Sequence, residues 1–384
     1  MTEYWRRLSG SLTGVDRVVA GLHEVELLES MTSYTNADEL YFPRITAALE
    51  QLPEEHWDAA LAVFASVIYI PHAFLSATYD YLWWSVQTMA AKAGTPISKD
   101  AQDVHIMEVD ADGLVPDFAR QNGLSARLNA AVHPRLPDVQ QLRQALKEAA
   151  SEIGEARRAA TDRLRLAASK NVWIVLTDKA LSGQSLLGDL QKIMFARDLL
   201  GEVTGKQPTV YVCAQIATSI AERAVADWIR LHKIRGVHMI SAIRLDEQAR
   251  VGSEQCRLFV DEETRRRVLN LCSWFDREVV SKDVSLNTFR ERSGGTLALG
   301  YKGTGITLVD HLNAPTNSLP LLWFDGTDPA GDYTGSDIAP KYRAPFPRVH
   351  SRRGAEVPGL SEGSLWSDLM QSEARQQLVD RMNN

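Results

Sequence analysis

The apolar positions along the chain recur at helical spacing up to about residue 92. Val15, Val18, Val19, Leu22 and Val25 share one face, and a second run covers roughly 37–51, ending near Pro53. The segment PEEHWDAALAVFASVIYI has Pro and two Glu in its opening turn, where the helix dipole favours acids. It predicts a helix that stops before Pro71. HAFLSATYDYLWWSVQTMAA continues as an aromatic helix up to Gly94. Aromatic residues dominate ordinary cores, so a core-facing helix is the expectation and a partner-binding face the alternative.

From Val104 the period changes. VHIMEV reads as a strand and DADG as a turn, and a loop-like region, 113–137, contains Arg120, Arg127 and Arg135. Residues 138–169 place Leu142, Leu146, Ile153, Ala160 and Leu164 on one stripe. The stripe is short and Ala-rich, which predicts a crossover helix on a sheet rather than a coiled coil. Strands follow at 172–177, 209–217 and 237–245, separated by helices at about 184–200 and 218–232. Such alternation predicts an α/β fold whose parallel sheet has right-handed crossovers. An Arg-containing helix near 262–280, late strands in LALGY and ITLVDHL, and a weak amphipathic helix around 362–382 complete the expected elements. The expected division is a helical N-terminal region (1–100), an α/β domain (101–353) and a C-terminal tail (354–384).

Composition narrows the class. Hydrophobic residues make up 45% and charged residues 24% of 384 residues, ordinary for a chain with a real core. The net charge of −7 argues against a surface built as a whole for nucleic acid. Contact with nucleic acid would have to use the basic stretch 341–353, where Arg343, Arg348, Arg352 and Arg353 otherwise read as an exposed tail. MTEYWRRLSG lacks the apolar run of a signal peptide, and the most apolar stretch, 59–70, is too short to span a bilayer. Cys213, Cys256 and Cys272 have no metal-type spacing and read as buried, inert thiols in a cytoplasmic protein.

The candidate chemistry lies in VWIVLTDKALSGQSLL, 172–187. An apolar run of the kind covered on both faces ends in Thr177, Asp178 and Lys179, then Ser182, Gly183, Gln184 and Ser185 lead into a helix. Ligands of open α/β sheets sit outside the carboxyl ends of strands. The unpaired N–H groups of a helix start attract phosphate, with hydroxyls of Ser182 and Ser185 as further donors. Glycine at 183 lets the backbone come close to a ligand. Asp178 accepts hydrogen bonds and suits sugar hydroxyls. A ribose 5-phosphate therefore matches the loop, with sugar at Asp178 and phosphate at 182–185. The bland alternative is that these are turn and cap residues.

This stretch resembles the phosphoribosyl-diphosphate motif of type I phosphoribosyltransferases: hydrophobics, two acids, then a Thr-Gly-x-Thr-like loop. Thr177-Asp178 stand at the acidic pair, which in that family holds the ribose hydroxyls, and Ser182-Gly183-Gln184-Ser185 stand at the phosphate loop. Thr177 replaces the first acid, and Lys179 partly neutralises the second. A later segment, GYKGTGITLVDHLNAPTNSLPLLW, with Asn313, Pro315, Asn317, Ser318, Leu319, Pro320 and Trp323, then FPRVHSR, is similar to the C-terminal signature of the PRTase-CE proteins of bacterial conflict systems. The two motifs stand in that family's order, so the resemblance spans about 104–353.

The resemblance implies a Rossmann-like parallel sheet of the type I phosphoribosyltransferase kind. It also implies an effector or sensor in antiphage defence, in some cases beside a retron reverse transcriptase complex. The ligand would be phosphoribosyl diphosphate or a nucleotide. An enzyme would transfer at C1 of ribose with loss of diphosphate, with Asp178 as the catalytic residue. Mg²⁺ would be held largely by the ligand's own oxygens. The alternative is a catalytically inactive module that binds nucleotide or a protein partner and switches. Asn313 and Asn317 are read either as ligand groups or as caps of turns around Pro315. His311 reads as a core histidine, and His232-Lys233-Ile234-Arg235 as a solvated helix end with a diphosphate contact as the alternative. Gly183-Gln184-Ser185-Leu186-Leu187-Gly188 has one residue too many for a Gly-x-Ser-x-Gly elbow, and a Walker loop, HExxH and paired CxxC are missing from the sequence.

Overall fold

The structure is a computed structural model and describes residues 45, 47–98, 101–109, 114–124, 170–310, 314–324, 342 and 344–346. Its principal elements in chain order are α1 (Trp57–Ala65), β1 (Ile68–Ile70), α2 (His72–Lys92), β2 (Val104–Glu108), α3 (Leu114–Gln121), β3 (Val172–Ala180), α4 (Gln184–Thr204), β4 (Thr209–Thr218), α5 (Ser219–Leu231), β5 (Val237–Leu245), α6 (Glu262–Glu278), α7 (Asn287–Ser293), β6 (Leu308–Asp310) and α8 (Pro320–Trp323). The expectations for residues 15–25 and 138–169, for Asn313 and His311, for FPRVHSR beyond its first residue and for 362–382 lie outside the described residues. The described residues form two compact units: Ser76–Arg244 make one, and those before Ser76 group with those from Leu245 onward in the other.

In the unit Ser76–Arg244 the sheet is four-stranded, in the order β2-β3-β4-β5. β3 pairs in parallel with β2 and with β4, Leu176 standing opposite Glu108 on one side and Cys213 on the other. The α/β class and the parallel sheet expected from the sequence are thus what the chain has. Residues 172–177 are all buried, as the unbroken apolar run requires. Alternation sorts them. Trp173 and Val175 pack with Leu186, Leu190 and Met194 of α4 and with Ala221 and Val225 of α5. Val172, Ile174 and Leu176 pack with Leu82 and Val86 of α2 and Phe118 of α3. The aromatic helix α2 accordingly turns Tyr79 and Leu82 inward, while Tyr81 and Trp84 stay exposed.

The ends of these elements are set by local chemistry. Gly205, in the left-handed region at φ +70°, closes α4. The buried Arg197 of α4 donates to the carbonyls of Pro208 and Arg235, tying the entry to β4 to the entry to β5. The N–H of Val210 bonds the carbonyl of Gly236, so 232–236 lie at the amino edge of the sheet, opposite Asp178. The HKIR segment is a helix end at that edge, the opposite edge from Asp178.

The other unit holds β1 and β6, paired in parallel from Ile68↔Leu308 to Ile70↔Asp310. The helix expected through 53–70 is therefore corrected: it ends at Ala65, and Ile68–Ile70 are a strand. β-branched and aromatic residues in a row lose side-chain freedom in a helix and pack well in a strand. LALGY is not a strand either. Gly300 has φ +72°, and a Cβ there would lie 2.4 Å from the carbonyl oxygen of Asn317, so the chain reverses where only glycine fits. The core around α1, α6 and α8 includes Val63, Phe64, Leu271, Phe275, Leu322 and Phe346.

The three cysteines are free thiols. Burial pushes Cys213 well up and Cys272 up to about 12, which keeps both protonated. No described helix is long and apolar enough to cross a membrane.

One buried group makes the fold acid-sensitive. His105 of β2 stands beside Trp173 on the face covered by α4, and its Nε2 has no hydrogen-bond partner among the described residues. Burial first, and then the charge of Lys170, lowers its pKa to about 4. The unfolded chain takes up this proton near pH 6.5 and the folded chain does not, so stability falls as pH drops from about 6.5 towards 4. At pH 5 the loss from this group is about 2 kcal/mol relative to pH 7. Urea midpoints at the two pH values should show this loss, and the His105→Phe variant should show a smaller one.

Candidate functional site

β3 does not stop where its apolar run ends. It continues through Thr177, Asp178 and Lys179 to Ala180, so these polar residues are strand residues and their faces are fixed. Thr177 falls on the side of Trp173 and Val175 and is 2% exposed. A carboxylate there would be stripped of water, which gives a physical reason for Thr at the motif's first acidic position. Asp178 falls on the side of Leu176, the face beneath α2, and is half-buried. Its Oδ2 lies 3.2 Å from Nζ of Lys179, and its Oδ1 accepts the backbone N–H of Lys179 at 2.6 Å. The expected neutralisation by Lys179 is thus a direct ion pair.

Neighbouring strands place further polar groups on that face. Glu108 ends β2 opposite Leu176, and its Oε2 accepts the N–H of Val115 in the first turn of α3, at 3.2 Å. Gln215 of β4 lies between Ala214, opposite Thr177, and Ile216, opposite Lys179, and is therefore level with Asp178. It is 4% exposed and donates from Nε2 to Oγ1 of Thr78, at 3.0 Å. Thr78 and Tyr79 come down from α2, both buried. Burial, then the carboxylates of Asp117, Asp178 and Glu108, push the Tyr79 phenol well above its usual range, while a hydrogen bond with Gln215 pulls the other way. Tyr79 therefore stays neutral and remains a donor.

The loop after β3 is anchored from behind. The Thr218 hydroxyl donates to the carbonyl of Leu181 and accepts the N–H of Ala221, so one residue caps α5 and holds the loop. Gly183 is the left-handed N-cap residue of α4, at φ +76°. A Cβ on it would meet Cα of Ala221 at 3.1 Å and Cβ of Ala224 at 3.3 Å. Glycine is needed here because the backbone is left-handed and α5 comes close, whether or not a ligand approaches it. Ser182 is half-buried, with Oγ 3.5 Å from the N–H of Gln184, while Gln184 and Ser185 are exposed. The N–H of Leu187 closes the first helical bond to the Gly183 carbonyl, so the N–H groups just before it head the helix without intrahelical acceptors.

Thr177, Asp178, Lys179, Ser182, Gly183, Gln184 and Ser185 thus occupy one strand end and one helix start. Asn317 lies in the other unit, where its amide donates to the Tyr301 carbonyl at 3.2 Å and to Oγ1 of Thr304 at 3.0 Å. Ser318 Oγ donates to the Leu308 carbonyl, and Trp323 Nε1 to that of Ser318. These contacts hold the 300–308 turn to the 314–324 segment; Asn317 thus bonds a neighbouring turn and not the one around Pro315. Glu108, Gln215, Thr78 and Tyr79 were not among the sequence candidates. The signal for two of them was present: Glu108 is the one acid of VHIME, at its end, and Gln215 is the one amide inside TVYVCAQIAT.

A parallel α/β unit with polar groups gathered at its carboxyl edge defines the class. The PRTase-CE family model matches residues 139–348, more than half the chain, and the chain belongs to that family of phosphoribosyltransferase-like proteins. No curated protein and no solved structure matches it.

Gly183→Ala should lower stability by about 1–3 kcal/mol, from the left-handed backbone and the contact with Ala221. Gly188→Ala, in α4 with open space around its Cα, should not destabilise. Paired urea titrations of the two variants check this.

Proposed function

We propose that the carboxyl edge of β3 binds a ribose 5-phosphate moiety, as phosphoribosyl diphosphate or a nucleotide, and that the protein serves as an effector or sensor in antiphage defence. The observation that carries it is the direct passage, within one segment, from a buried strand through an inward carboxylate to a helix start. Asp178 accepts from sugar hydroxyls, and the N–H groups and the Ser182 and Ser185 hydroxyls at the head of α4 donate to the phosphate. The family supports a phosphoribosyltransferase-like chemistry. As an enzyme the protein would break the C1–O bond of phosphoribosyl diphosphate and pass the sugar to an acceptor, releasing diphosphate. Among the described residues no group of three or more His, Cys, Asp or Glu is placed to hold a metal. Mg²⁺ would enter as the companion of the diphosphate, and no protein ligand is assigned to it.

The second reading, a binding module without turnover that switches a partner such as a reverse transcriptase complex, is favoured by Thr177. With a buried hydroxyl at the first acidic position, the strand itself supplies one carboxylate rather than two. Incubation of purified protein with Mg²⁺ and phosphoribosyl diphosphate separates the two. Diphosphate release over hours supports the enzyme, and tight binding without release supports the module.

Asp178→Ala should weaken ribose 5-phosphate binding by about 1.5–3 kcal/mol and Ser185→Ala by about 0.5–1.5 kcal/mol, the scales of charged and neutral hydrogen bonds. Calorimetry with ribose 5-phosphate checks both. Unchanged affinity in Asp178→Ala would remove the sugar assignment.

A further inference from the structure

The strand that carries Asp178 lacks a second carboxylate, and the next strand supplies one on the same face. Glu108 stands opposite Leu176, and Asp178 is two residues further along β3. With neighbouring strands about 4.8 Å apart and a rise of about 3.3 Å per residue, their Cα atoms are roughly 8 Å apart. Both lie on the sheet face covered by α2 and α3, with Glu108 reaching the first turn of α3, and Gln215 continues the row on β4. The sheet thus presents two carboxylate acceptors on one face, with the neutral Tyr79 phenol in their field and the Gln215 amide level with Asp178. Two carboxylates that each retain lone pairs match a ligand that brings two adjacent O–H donors.

We infer that Glu108 is a specificity-determining residue of the site, and that Glu108 and Asp178 together receive the vicinal hydroxyls of a ribose. This rests on the ribose 5-phosphate site proposed above. It makes the acidic pair a product of strand register instead of sequence adjacency. Tyr79 supports the geometry: its phenol lies within the field of Asp178 and Glu108 together, and of Asp117. Glu108 has a structural task as well, since its Oε2 accepts the N–H of Val115. An amide at 108 keeps an oxygen for that bond, so Glu108→Gln removes charge with little change of shape.

The sign of the effect discriminates. A phosphorylated sugar is an anion, and removing a nearby negative charge raises its affinity unless the lost group was itself bonded to the ligand. Calorimetry on the full chain with ribose 5-phosphate and with inorganic phosphate is the test, with thermal melting to confirm folding. Glu108→Gln is expected to bind ribose 5-phosphate roughly ten-fold or more weakly, with inorganic phosphate bound as in the wild type or more tightly. Ribose 5-phosphate affinity in Glu108→Gln equal to or above the wild type, with Asp178→Asn still weakened, overturns the role of Glu108 and leaves the site standing. Equal weakening of both ligands in Glu108→Gln also overturns it, since the effect is then structural. A wild-type protein that binds no ribose 5-phosphate removes the site and the inference together.

Discussion

The pairing of β3 with β2 on one side and β4 on the other fixes almost everything else about the candidate site. A strand that hydrogen-bonds along both edges and is covered on both faces has no freedom to slip, because a shift of one residue would exchange the two faces. Trp173 would move from under α4 to under α2, and Leu176 the reverse. Packing of these large buried side chains therefore holds the register, and the register assigns Thr177 to the face under α4 and Asp178 to the face under α2. The polar row Glu108, Asp178 and Gln215 follows from hydrophobic burial several residues away.

The helix start depends on the same constraint at one remove. α4 can lie on the sheet only if the chain turns sharply after Ala180, and α5 then sits close behind the turn. Thr218 links the two, bonding the Leu181 carbonyl and the Ala221 N–H. Gly183 meets both a left-handed backbone and a neighbouring helix at 3.1 Å. Its loss would disturb packing before it disturbed any ligand, which makes Asp178 and Ser185 the cleaner probes of binding.

The pattern of apolar residues made the parallel sheet legible, because buried strands are written as continuous runs. Residues 172–176 and 210–214 fall where that pattern puts them, and α4 starts at Gln184 as expected. Short strands were illegible. Ile68–Ile70 continue the apolar texture of α1, and only the distant partner Leu308–Asp310 makes them a strand. The site was legible along one segment, since motif and strand end coincide there. Glu108, Gln215 and Tyr79 are separated from Asp178 by tens of residues, and only register and the placement of α2 bring them to one face. The reason for Gly183 was hidden in the same way: a glycine in sequence reports that space is short, without reporting which neighbour takes it.

The ion pair of Asp178 with Lys179 bears on what this edge can hold. One oxygen is engaged by Nζ and the other by the backbone N–H, yet each carboxylate oxygen accepts more than one donor. A sugar hydroxyl can therefore reach Asp178 while the ion pair persists. Lys179 then offsets part of the negative field that Asp117, Asp178 and Glu108 create around Tyr79. That field would repel a phosphate placed beside the carboxylates. On the proposed reading a phosphate would sit instead at the start of α4, past Leu181 and Gly183, where the groups on offer are N–H groups and hydroxyls. Acceptors at the strand ends and donors at the helix start divide the edge into two halves of opposite character. A ligand that fits both has hydroxyls at one end and an anion at the other, and a free anion or a free sugar meets only half of it.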